Sequence, residues 1–154
     1  MTDGLSDDEI EQRLRAAPEE RWQEVWEAIA ELDDEPEPGR WAGGEQLRTI
    51  TVDGVEQPII QMPYVIYGAS VERIIAAIYR LGASEPFDWP AWGGLARYPS
   101  GRGLETAAVA EAVRLVTAIS RADRFSEGTL LASVEDGTFR AIVDRLRRWY
   151  DEER

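Results

Sequence analysis

Two short stretches concentrate the side chains able to do chemistry: FDWPAW, residues 87–92, and RADRFSEG, residues 121–128. In the first, Trp89 and Trp92 share a face if the turn opened by Pro90 is helical. They would then form an aromatic wall for a flat ligand, with Asp88 gripping a hydroxyl or amine. The plainer reading is an aromatic plug between helices, with Asp88 capping the turn. In the second stretch, Arg121 and Arg124 are one turn apart at a helix C-terminus and Glu127 lies in the first turn of the next helix. The helix dipole favours both placements. An Arg fork there would clamp an anionic ligand while Asp123 or Glu127 serves as base or metal ligand. Pairing of Asp123 and Glu127 with the arginines, and a close backbone approach at Gly128, explain the same residues without a ligand. Carboxylates beside arginine are poor bases near neutrality, so a structural corner is the expectation. A third stretch, PSGRG at 99–103, would offer backbone N–H groups and Arg102 to a phosphate or carboxylate. It matches no complete phosphate-loop pattern and reads as a mobile loop.

Absent residue types narrow the chemistry further. The chain has no histidine and no cysteine, and all 17 of its basic residues are arginine. This excludes an imidazole base, an ordinary zinc site, thiolate chemistry, a disulfide framework and a lysine Schiff base. Catalysis would rest on carboxylates, Arg, Tyr, Ser or Thr, with or without Mg²⁺. The residues call for no cofactor and no resident metal, and assign no catalytic residue.

The formal net charge is −13 over 154 residues. Residues 1–77 hold 18 acids and 6 arginines, whereas 78–154 hold 12 and 11. An acidic half repels nucleic acid and anionic membrane, so neither is expected as a partner. A basic protein partner and a small anionic ligand remain. The lysine-free, acid-rich composition suits a high-salt cytoplasm, and a GC-rich genome would also favour Arg over Lys. No apolar run approaches a membrane span, and MTDGLSDDEI is unlike a secretory signal, so a cytoplasmic location is expected.

These stretches need elements to hold them. Ser6 with Glu9 forms a capping box for a helix through Ala16, and Pro18 opens a second. That helix puts Trp22, Val25, Trp26, Ile29 and Leu32 on one face. DDEPEPGR, 33–40, reads as a linker closing an acidic helical extension over 1–40, with a single helical domain over 41–154. In LRTITVDGVEQPIIQMPYVIYG, Asp53-Gly54 marks a hairpin turn, and Pro58 and Pro63 confine the second arm to an edge or interrupt it. Ser70 is placed to cap a helix that Gly82 stops. A long helix over Leu104 to about Arg124 follows, and Ser126 and Thr138 are placed to cap two more. The last helix packs Phe139, Ile142, Val143, Leu146 and Tyr150 and turns Arg140, Arg145, Arg147 and Arg148 outward. The fold class is mainly α (α+β): five or six helices around one core, with a small antiparallel β element near 47–66.

The order VERIIAAIYRLG, FDWPAW, then LETAAVAEAVRLVTAISRADRFSEGTLLASVEDGTFRAIVDRLRR resembles a family of small, mostly prokaryotic proteins known as domain of unknown function 6508. The resemblance runs from Pro63 to Arg148 and brings no established reaction, cofactor or partner. It implies that Asp88, Trp89, Trp92, Arg121, Asp123, Arg124, Phe125, Glu127 and Gly128 occupy the family's signature positions. The function expected is a non-catalytic, soluble binding or interaction protein, regulatory or engaged in host–phage conflict. The alternative is a small-molecule enzyme or sensor in which FDWPAW and RADRFSEG meet as aromatic wall and Arg–carboxylate corner.

Overall fold

The computed structural model describes residues 4–154. Six helices of seven residues or more pack around one core: α1 Asp7–Ala16, α2 Glu19–Asp34, α3 Ala69–Arg80, α6 Val109–Phe125, α7 Thr129–Glu135 and α8 Thr138–Arg148. Two single-turn helices, α4 Trp89–Trp92 and α5 Gly94–Arg97, sit between α3 and α6. Four strands, β1 Gly39–Ala42, β2 Gln46–Val52, β3 Val55–Ile60 and β4 Tyr64–Tyr67, supply the β element.

The helix starts show which local signals prevailed. Ser6 makes the full capping box with Glu9, and the Ser6 backbone and hydroxyl hold the Glu9 carboxyl below the usual range. Elsewhere glycine replaces the expected hydroxyl cap. Gly68 precedes α3 and leaves Ser70 buried inside it. Gly128 precedes α7 and Gly137 precedes α8. Ser126 instead ends α6, donating its N–H to the Ala122 carbonyl at 2.8 Å. Thr138 is the first residue of α8 and donates its N–H and hydroxyl to Asp136. The long helix expected from Leu104 is interrupted. A 3₁₀ turn over Leu104–Thr106 comes first, and α6 begins only at Val109.

The core takes one side chain or more from every long helix: Leu14, Trp22, Ile74, Leu115, Leu130 and Ile142 belong to the same buried cluster. Trp22 stacks on Trp26 and Trp149, with ring centroids 5.5 and 5.8 Å apart, and its indole N–H reaches the Leu14 carbonyl. Trp149, which sequence periodicity did not place in the core, is fully buried in a π-helical turn after α8. Arg145, expected outside, is only 5% exposed. It donates to the Ala107 carbonyl at 2.8 Å and to both carboxylate oxygens of Glu153, so its charge is buried in paired form. The break before α6 leaves the Ala107 carbonyl free to receive it.

The β element is one bent antiparallel ribbon. β1 pairs with β4 and β2 with β3, and the Gly44–Gln61 and Gln61–Glu45 backbone bonds continue the ladder between the two pairs. The bend falls at Gly43 and Gly44, both with positive φ. A Cβ on Gly43 would meet the Met62 carbonyl at 2.6 Å. Asp53 and Gly54 both take left-handed φ, 52° and 80°, as the tight hairpin turn requires. The ribbon starts at Gly39, so the last two residues of the expected linker belong to a strand. β2 and β3 pack chiefly on each other.

Candidate functional site

RADRFSEG is the latch that ties the ribbon to the helices. The Asp123 carboxylate accepts the Tyr67 hydroxyl at 3.0 Å, the Gly128 N–H at 3.1 Å and the Leu130 N–H at 3.0 Å, all on one oxygen. It thereby joins the end of α6, the start of α7 and β4. The Tyr67 hydroxyl in turn accepts the Leu131 N–H. Burial, then the bond to Asp123, pushes this phenol far above the ordinary tyrosine range. Glu127 accepts the Val65 N–H at 2.9 Å, a backbone group of β4. Gly128 takes φ 95°, and a Cβ there would meet the Trp41 ring of β1 at 2.4 Å. The expected pairing of these acids with arginine is not met. Neither Asp123 nor Glu127 forms an ion pair with Arg121 or Arg124 among the described residues. The Gly128 and Leu130 N–H groups are open to Asp123 because they lie at the start of α7, where no helical carbonyl receives them.

FDWPAW and RADRFSEG meet in part. Trp89 and Arg121 line a cavity of about 70 Å³ with Pro86, Phe87 and Thr117. Trp92 and Asp88 line a different space, an open cleft of about 720 Å³. One aromatic wall across Trp89 and Trp92 is therefore absent from these two cavities, and Asp123, Arg124 and Glu127 line neither. Asp88 caps α4 through the Ala91 N–H, as its spacing suggested. Phe125 stands 84% exposed at the end of α6.

The floor of the larger cleft is a buckle around Glu111. Its Oε1 accepts Arg97 at 3.0 Å and the Tyr98 hydroxyl at 2.9 Å. Its Oε2 accepts the Trp92 indole N–H at 3.2 Å and Arg114 at 3.1 Å. Arg114 also reaches Asp7 and the Leu5 carbonyl, drawing the start of α1 onto α6. Burial, then the bond to Glu111, raises the Tyr98 phenol. Both Glu111 oxygens are occupied, so the arrangement holds four elements together and leaves no free basic oxygen. Glu111 was not singled out from the sequence. The available signal was an acid flanked on both sides by apolar residues in AVAEAV. Tyr67 had no such signal.

Part of PSGRG packs against α8. Gly101 is buried, and a Cβ there would meet Ala141 of α8 at 2.4 Å. Arg102 bonds the Pro99 carbonyl, and the Gly103 N–H is taken by Glu105. Among the described residues, no group of three acids, histidines or cysteines could hold a metal ion, and no helix is long and apolar enough to cross a membrane.

Fold and site together define a small, mainly α protein that carries a bent β ribbon latched at a helix corner. The chain belongs to the Family of unknown function (DUF6508), which matches residues 17–152. The match takes in α2 and the whole ribbon, well beyond the Pro63–Arg148 stretch that carried the resemblance. No curated protein and no solved structure matches the chain.

Proposed function

We propose that the protein is a non-catalytic interaction protein whose contact surface is the β ribbon. The carrying observation is the distribution of apolar side chains outside the core. Ten large ones are exposed among the described residues, and eight of them lie between Trp41 and Ile66. Met62 is 80% exposed, and Leu47, Val55 and Ile60 are all more than half exposed. Concentration on one projecting element is the mark of a surface meant to be covered. The helices behind it carry most of the −13 charge, which favours a basic partner around an apolar contact. In this reading residues 4–154 act as one unit, supported by Ile10, Leu14, Trp22 and Val25 of α1 and α2 belonging to the common core cluster.

A test uses the full chain and a Val52→Glu/Val55→Glu variant as baits, followed by reconstitution with the purified captured protein. The reading requires a basic partner that binds the wild-type chain and is lost by the variant at unchanged melting temperature. Equal binding by the variant overturns it. A second reading, a small oxyanion at Arg121, is favoured by Arg121 and Trp89 sharing a cavity. Its size admits phosphate or acetate and excludes a nucleotide. Thermal stabilisation by phosphate that disappears in Arg121→Ala supports it, and equal stabilisation of both proteins rejects it.

A further inference from the structure

The ribbon has two free edges, and they are unequal. β2 and β3 form a two-stranded sheet, so each has one side without a strand neighbour. The register pairs Val52 with Val55 across the tight turn, Ile50 with Gln57, and Thr49 with Pro58. In an antiparallel ladder, hydrogen-bonded and non-hydrogen-bonded pairs alternate, and the pair flanking a two-residue turn is hydrogen-bonded. Thr49 and Thr51 therefore direct their N–H and C=O groups to the free edge of β2. Opposite them, Glu56 and Pro58 face the free edge of β3. Pro58 has no N–H, so that edge is blunted in its middle. The edge of β2 is proline-free and carries Thr49, Ile50, Thr51 and Val52, residue types that favour strands.

Charge points to the occupant. The ribbon, 39–67, holds two arginines and three acids, a net charge of −1 in a chain of −13. It is the apolar surface through which two copies meet with least repulsion. A two-stranded ribbon is marginal by itself, and three or more strands give a stable sheet.

We propose that β2 pairs antiparallel with β2 of a second copy of this chain about a two-fold axis, forming a four-stranded sheet. This shares with the interaction reading above the ribbon as contact surface, and goes beyond it in that the partner is a second copy of this acidic chain and not a basic protein. In the register centred on Ile50, Thr49 of each copy exchanges backbone hydrogen bonds with Thr51 of the other, and the two Ile50 side chains meet on the axis. Arg48, the single charge on β2, lies one register position from Asp53 of the second copy. The contact extends over one short strand, so it buries less than the roughly 1,200 Å² of a standard interface, and a dissociation constant of order micromolar or weaker is expected.

Sedimentation of the full chain from about 5 to 500 µM tests this, with added salt as a second variable. The expected result is a concentration-dependent rise from 17.3 kDa toward twice that mass. Salt should strengthen it by screening the acidic helices. Thr51→Pro removes an outward N–H without removing a β2–β3 hydrogen bond, and should leave a monomer with unchanged circular dichroism. Thr51→Val keeps the N–H and should remain dimeric. If the proline variant does not fold, amide exchange in the wild-type chain decides: Thr49 and Thr51 should gain protection as concentration rises. A monomer at every concentration overturns self-pairing, as does a folded proline variant that stays dimeric. Capture of a basic partner by a strictly monomeric chain overturns self-pairing alone and leaves the interaction reading standing.

Discussion

Replacing Asp123 is the sharpest probe of the corner. Its one oxygen serves three donors: the Tyr67 hydroxyl and the Gly128 and Leu130 N–H groups. Asp123→Ala leaves all three without their acceptor in a half-buried setting. An unpaired donor costs about 1–3 kcal/mol, and water reaches this site, so the low end applies and the total is about 3–5 kcal/mol. For a chain of this length that is roughly 8–15 °C in melting temperature. Asp123→Asn keeps an acceptor but loses the charge, and should cost about 2–3 kcal/mol. Tyr67→Phe removes one of the three bonds and the acceptor of Leu131, for about 1–2 kcal/mol. Because Asp123 and Tyr67 share a bond, the double variant should fall short of additivity by about 1 kcal/mol. Urea unfolding followed by far-ultraviolet circular dichroism gives each value. A loss below about 1 kcal/mol for Asp123→Ala, or additivity in the cycle, would show that the corner is not held by this carboxylate.

Three further outcomes follow from the same structure. Gly128→Ala combines a left-handed backbone with a clash against Trp41; it should cost at least about 1 kcal/mol and speed amide exchange in β1 and β4, and unchanged exchange there would contradict the latch. Arg145→Ala should cost about 2–3 kcal/mol by urea unfolding, less than a fully buried pair because Glu153 is 40% exposed. The Arg145 hydrogen bond holds the Glu153 carboxyl below its ordinary range, so this stability is present above about pH 4.3 and lost as pH falls through the folded value; the variant's acid limb should be correspondingly flatter. Tyr67 and Tyr98 both have raised folded values, so their contribution is intact below about pH 10 and lost above it, where the unfolded phenols ionise first. Absorbance titration should show three phenols ionising late, Tyr150 through its bond to Glu19 as well as these two, and normal titration of all tyrosines would refute these bonds.

The sequence by itself determined what depends on neighbours along the chain. The Ser6 capping box, the Asp53-Gly54 turn, the Gly82 stop and the apolar faces of α2, α3, α6 and α8 follow from spacing, because their physics acts within one or two turns. The absence of His, Cys and Lys likewise bounded the chemistry without any fold. Only the tertiary structure decided where polar groups found their partners. Asp123 met Tyr67 and backbone N–H groups where arginines had been expected, Glu111 gathered donors from α4, α5 and α6, and Arg145 turned inward to a carbonyl freed by the break before α6. A hydrogen bond is satisfied by whichever donor the packed chain brings within about 3 Å, and that depends on how distant elements sit together, which spacing along one helix does not encode.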